Sequence, residues 1–255
     1  MLRAIGLLLA ILSAATARPA SAQEWEVNLT PYVWLAFPKG DVTVIGNRGG
    51  GGGGGGIDFP RINAEFEDVK LSGVFTGSAD VAYGRFGLFG DISYYEIKTD
   101  NDITVGSLPA IDGGLKVSGT KAMLMGYWRA YDSETSRIDL MAGAHYLRAK
   151  GTATVVTRIG SAAGSAKRDL WDPIIGVRGE TRFGEHFGVK GLATYGGFSG
   201  DSDELYELQG YLTWRFNPTI TAQAGYRYYS AEWEGNFLDY DASFSGPLVG
   251  LNFRF

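Results

Sequence analysis

The chain has 255 residues, no cysteine and a formal net charge of −5, which excludes a disulfide framework, thiolate chemistry and cysteine-ligated metals. The acidic balance argues against nucleic-acid binding or an anionic-lipid surface binder, both of which need clustered positive charge. With 38 glycines, 14 tyrosines and 14 phenylalanines, the composition suits strands and turns rather than helices.

At the amino terminus Arg3 precedes an apolar stretch, Ala4 to Leu12, too short to span a bilayer, and Ala20-Ser21-Ala22 supplies a small-residue cleavage site before Gln23. This pattern reads as a secretory signal peptide over 1–22, leaving one exported domain over 23–255. Removal of Arg3 and Arg18 brings that domain's net charge to −7, from 21 basic and 28 acidic residues. Beyond residue 22 no apolar run approaches the ~20 residues of a transmembrane helix, so any crossing of a membrane must be made by strands.

The first strand is read over 25–36. Val27, Leu29, Pro31, Val33 and Leu35 share one face, and Glu26, Asn28, Thr30, Tyr32 and Trp34 the other, a clean period of two. The segment 37–66 follows as a long connection holding eight consecutive glycines, Gly49 to Gly56. No Gly-Lys-Ser/Thr ending and no helix follow, so this is not a phosphate loop. It reads as the mobile part of an external loop, whose shortening is expected to leave insertion and folding intact.

Nine further strands are expected near 67–83, 86–98, 115–130, 137–150, 170–183, 186–197, 204–216, 219–231 and 240–255. Short connections, Gly84-Arg85, Asp132 to Ser136, Gly184-Glu185 and Asn217-Pro218, alternate with long ones at 37–66, 99–114, 151–169, 198–203 and 232–239. That alternation is the layout of an all-β, antiparallel, up-and-down transmembrane barrel with tight periplasmic turns and longer external loops. Ten strands are expected, with eight as the alternative.

Faces and aromatics point the same way. Ile138, Leu140, Ala142, Ala144 and Tyr146 oppose Asp139, Met141, Gly143, His145 and Leu147, apolar towards lipid and polar or small towards the lumen. On the apolar faces, Phe86, Trp128, Phe183, Phe187, Trp214, Phe216 and Phe255 fall beside the short turns. Tyr94, Tyr146, Trp171, Tyr195 and Tyr228 fall beside the long connections, completing two aromatic girdles.

The terminal Gly250-Leu-Asn-Phe-Arg-Phe255 resembles the carboxyl-terminal signature by which bacterial outer-membrane proteins are recognised for assembly. Together with Trp171-Asp-Pro-Ile-Ile-Gly-Val-Arg178, Ala224-Gly-Tyr-Arg-Tyr228 and Phe244-Ser-Gly-Pro-Leu-Val249, it resembles a largely uncharacterised family of proteobacterial outer-membrane β-barrel proteins, porin-like or OmpA-like small barrels. The resemblance implies an outer-membrane location in a Gram-negative envelope. Its implied partners are outer-membrane lipid and lipopolysaccharide, and the assembly machinery acting through Phe255.

The charged residues assigned to the lumen are Asp80, Asp91, Lys121, Asp139, Asp172, Arg178, Glu180, Arg182, Lys190, Glu207, Arg215, Arg227 and Arg254, with His145 among them. They could form a polar path for small polar solutes or ions or a paired interior that fills a narrow barrel. An enzyme is not expected. Barrel proteases of the omptin type need paired carboxylates and a His-Asp pair at the external rim, whereas this chain has two histidines. His186 falls at a short turn, and His145 points inward, nearest to Asp139 and Asp172. No metal site or cofactor is expected: Asp100-Asn-Asp102 and Asp201-Ser-Asp-Glu204 lack the rest of a calcium loop and read as solvated carboxylates. The expectation is a non-enzymatic barrel, structural or porin-like. A loop-mediated adhesion or ligand-binding protein, with Trp233 to Phe237 on its last loop, is the alternative, and a soluble periplasmic lipocalin-like barrel a weaker one.

Overall fold

The computed structural model describes residues 25–44, 62–65, 70–99, 103–105, 108–111, 113–157, 160–233 and 238–255. Residues 1–22, read as a signal peptide, the run Gly49 to Gly56 and Asp100 to Asp102 lie outside the described residues. The strands in chain order are β1 (Trp25–Trp34), β2 (Phe37–Val44), β3 (Ile62–Glu65), β4 (Lys70–Tyr83), β5 (Phe86–Thr99), β6 (Ile103–Val105) and β7 (Leu108–Ile111). They continue with β8 (Gly113–Asp132), β9 (Ser136–Thr157), β10 (Gly160–Phe183), β11 (Phe187–Gly196), β12 (Glu204–Arg215), β13 (Ile220–Trp233) and β14 (Leu238–Arg254).

Ten of them close a barrel. β1, β4, β5 and β8 to β14 pair in that order, each antiparallel to the next, and β14 returns to β1 through pairs such as Leu29 with Phe253 and Val33 with Val249. The Phe255 amide donates to the Val27 carbonyl at 2.9 Å, tying the last residue into the seam. Eight strands are thereby excluded.

The strands run further than the alternation of the sequence indicated. The described parts of the segments read as long connections, 37–66, 99–114, 151–169 and 232–239, carry ladder pairing past the barrel's outer girdle. β2 continues the line of β1 along β14, from Phe37 opposite Ser245 to Val44 opposite Leu238. β9 and β10 stay paired up to Thr157 and Gly160. The physical reason is local: Thr152, Thr154, Val155, Val156 and Thr157 are β-branched, and two chains leaving the membrane side by side satisfy their amides and carbonyls best by prolonging the ladder. β3, β6 and β7 add short strands beside β2.

The turns at the other end are short because their sequences close tightly. Gly84 and Gly184 adopt φ of 56° and 65°, a left-handed conformation that costs glycine nothing. The Asn217 side chain accepts from the amides of Thr219 and Ile220 at 2.9 and 2.8 Å, an Asx turn.

Side chains sort by the pleat. Along β5, Phe86, Leu88, Ile92 and Tyr94 are exposed on the outer surface while Phe89, Asp91 and Ser93 are buried inside. Outward residues remain bare and apolar: Leu212 is 70% exposed, Phe86 66% and Leu124 61%. A wall facing water would place polar residues there; this one suits hydrocarbon. Trp171 and Phe183, both outward, mark the two girdles on β10. Their twelve-residue separation is roughly 40 Å along a strand at ~3.4 Å per residue and about 29 Å in height at a tilt of about 45°, the thickness of a bilayer core.

Candidate functional site

The described strands converge many of their charged side chains on the barrel interior, and that interior is layered. At its middle lies an ion-pair cluster with almost no solvent contact. Arg227, supplied by β13 and 0% exposed, pairs with Asp91 of β5 at 3.0 Å and Glu207 of β12 at 2.8 Å. Lys121 of β8 pairs with Glu207, which also accepts from Gln209. Tyr32 of β1 donates to Asp91 at 2.6 Å and receives a bond from Arg227. The Arg227 guanidinium also lies 4.7 Å from the Trp34 ring centre, a cation–π contact. Charges removed from water persist only when paired and hydrogen-bonded, and each of these four has a partner.

Towards the long-loop end an apolar layer covers this cluster. Trp34, Tyr229, Phe244 and Tyr95 meet with ring centres 5.3 to 6.5 Å apart. Leu147, Leu170, Leu205 and Ala231 are each at most 3% exposed. Loop 197–203 is held against the same end by Asp172, which accepts from the Ser202 amide at 2.7 Å and its hydroxyl at 2.8 Å.

Towards the short-turn end, Met123 and Met125 follow Lys121 on β8 and are buried with Met141, Ile174 and Leu192. A second ion network comes next. Arg178 of β10 holds Asp139 at 2.7 Å and Asp80 at 2.5 Å; Arg129 holds the other oxygen of Asp139 at 3.2 Å. Tyr127 donates to Asp80 at 2.9 Å and presents its ring 4.6 Å from the Arg178 guanidinium. Below this lies an open polar vestibule with about 90 Å³ of room for water. Its rim carries Glu26, which takes Arg137 at 3.4 Å and Arg254 at 3.0 Å, and Glu180, which takes Arg137 at 3.5 Å.

Of the fourteen residues singled out from the sequence, twelve separate into three places. Asp91, Lys121, Glu207 and Arg227 form the central cluster; Asp80, Asp139 and Arg178 form the second; Glu180, Arg182, Lys190, Arg215 and Arg254 line the vestibule. Asp172 is apart from all of them, at the loop it anchors. His145 stacks on Tyr229 at 5.7 Å, and neither ring nitrogen has a hydrogen-bond partner among the described residues. Asp139 binds arginines and Asp172 binds Ser202, so neither carboxylate orients that imidazole. His186 lies on a short turn with Nδ1 2.9 Å from the Arg215 carbonyl.

Several participants escaped the sequence reading: Glu26, Arg129, Arg137 and the tyrosines Tyr32 and Tyr127. Glu26, Tyr32 and Tyr127 stand on inward faces that the period of two had already defined. Arg129 stands where the pairing of β8 with β9 slips between Arg129 and Tyr131, and Arg137 at the extreme end of its strand, where alternation carries least weight.

Outside the barrel wall, beyond the outer girdle, Asp169 accepts from Tyr146 at 2.6 Å and pairs with Arg148 and, at 3.2 Å, with Lys167. The Tyr146 hydroxyl, then Arg148, hold its carboxyl well below the usual carboxylate range. Asp201, in one of the acidic motifs, accepts from the Trp171 amide at 2.8 Å.

The fold matches solved outer-membrane barrels. The outer membrane protease OmpT of Escherichia coli superposes with a TM-score of 0.59 at 11% identity, over 94% of this chain and 99% of that one. The translocator domain of the autotransporter NalP from Neisseria meningitidis gives a TM-score of 0.46 at 14% identity, over 99% and 95%. No family model matches the chain, and no curated protein does. At such identities the likeness is one of fold.

Proposed function

We propose that the chain is an integral outer-membrane β-barrel protein of the bacterial envelope, non-enzymatic and structural, whose interior does not conduct freely. One observation carries this reading: Arg227, Lys121, Glu207 and Asp91 seal the middle of the lumen, each 5% exposed or less, with an apolar layer above them. An aqueous channel leaves its charged lining in water; here the charges are spent on one another. Ten strands enclose little more interior than side chains fill.

The reading that the barrel is not a protease rests on its histidines. A general base needs an orienting partner and access to substrate. His145 has no such partner among the described residues and is 2% exposed, and His186 is engaged by a backbone carbonyl at the short-turn rim.

The test is planar-bilayer recording on the refolded mature chain. We expect no stepwise current from the native protein, and rare openings after Arg227→Ala, which removes the central fork. A stable unit conductance in the native protein would replace this reading with the porin-like one, in which small polar solutes or ions pass. Incubation with denatured casein tests the non-enzymatic part, where reproducible cleavage abolished by His145→Ala would overturn it.

A further inference from the structure

We infer that the vestibule at the short-turn end is a binding site for a single oxyanion, a phosphate or a carboxylate group, held by Arg182, Lys190 and Arg215. The chain as a whole is acidic, 23 lysines and arginines against 28 aspartates and glutamates, yet the vestibule reverses that balance. Seven lysines and arginines line it against five carboxylates.

Pairing accounts for most but not all of this charge. Glu26 is taken by Arg137 and Arg254, and Asp80 and Asp139 by Arg178 and Arg129. Glu185 sits on an exposed turn. Glu180 stands directly across the ladder from Lys190, but its ion pair is with Arg137 on the opposite neighbouring strand. Lys190 and Arg215 are thus left without a carboxylate within 4 Å among the described residues, and Arg182 spends one nitrogen on the Glu134 carbonyl. Three cations then face one half-enclosed space from the adjacent strands β10, β11 and β12.

Such an arrangement is unfavourable by itself, because partly desolvated like charges gain nothing from one another. An anion entering from solvent offsets it. Two guanidinium forks match the paired oxygens of a phosphate or carboxylate, and a lysine adds a point charge. The vestibule itself supplies the room, about 90 Å³ beside these side chains; Gly188, between Arg182 and Thr213 on the ladder, is closely packed, since a Cβ there would stand 2.8 Å from the Thr213 hydroxyl. Thr213, Thr221 and Gln223 complete the lining with neutral donors. With the long loops outside the cell, this mouth opens to the periplasm, so its anion comes from that side.

The experiment uses the mature chain refolded in an uncharged detergent at low salt. Lys190 is acetylated with acetic anhydride, and its rate is read by mass spectrometry with and without inorganic phosphate and, separately, N-acetyl-alanine as the carboxylate source. The expected result is at least a fivefold slowing at Lys190, with Lys150 on the outer surface unaffected. Protection by one probe alone assigns the site to that source. Calorimetric titration of Arg215→Gln is expected to show at least tenfold weaker binding than the native chain, while Arg148→Gln binds normally; gel mobility before heating reports folding of each variant. Equal Lys190 rates with and without both probes overturn the inference. A conducting barrel would overturn the functional reading above and leave this titration untouched.

Discussion

Two aspartates that look alike in the sequence, Asp139 and Asp169, have opposite surroundings. Asp139 is 4% exposed and neutralises both Arg178 and Arg129, whereas Asp169 pairs with Arg148 and Lys167 on the open outer wall. Removing one member of a buried pair strands the other charge and costs about 3–5 kcal/mol. Asp139→Leu is therefore expected to lower stability by about that amount, measured by urea unfolding of the refolded barrel. Asp169→Asn should leave the unfolding midpoint in place, since exposed pairs are screened by water. The depressed carboxyl of Asp169 also sets a sign. Its pairing stays fully present above the ordinary aspartate value near 4 and is lost only as pH falls through the lower folded value. Carbon NMR of labelled aspartate checks this, and a midpoint at or above the ordinary value would contradict it.

At the scale of the strand, the pleat divides a lipid side from a packed side, and each side has its own penalty. Val177 lies midway between the girdle residues Trp171 and Phe183 and faces outward. Arginine there should cost about 2–4 kcal/mol, against about 0–1 kcal/mol for Val189→Arg beside the short-turn girdle, both read by unfolding in lipid vesicles. Equal penalties would mean that the girdles do not mark the membrane faces. On the inward side, a Cβ at Gly143 would run into the backbone of β8 at Leu124 and Met125. Gly143→Val is expected to destroy the folded, fast-migrating band on unheated gels, because the obstacle is main chain and cannot rotate away.

For the whole molecule, closure of ten strands predicts resistance to detergent until heated: unheated and boiled samples of the mature chain should migrate differently, and recovery in a fully soluble fraction would overturn the membrane assignment. Much of this architecture was legible beforehand. The alternation Phe86, Leu88, Ile92, Tyr94 against Phe89, Asp91, Ser93 follows from a period of two between lipid and lumen, and the sorting of Trp171 from Phe183 follows from the two interfaces. These are local or one-dimensional constraints, so the sequence by itself determined the faces and the girdles and favoured ten strands over eight, a choice that the closing pair of β1 with β14 completed. How Arg227 meets Asp91, 136 residues away, is set by the stagger of strands around the closed cylinder, which no local pattern encodes. The same closure turned Glu180 towards Arg137 and left Lys190 and Arg215 without a carboxylate partner among the described residues. Only the tertiary structure decided that charged side chains pair with one another at the centre of the interior and that a polar vestibule lies at the short-turn end, because pairing of charges depends on distances across the barrel that the chain reaches only when its ends join.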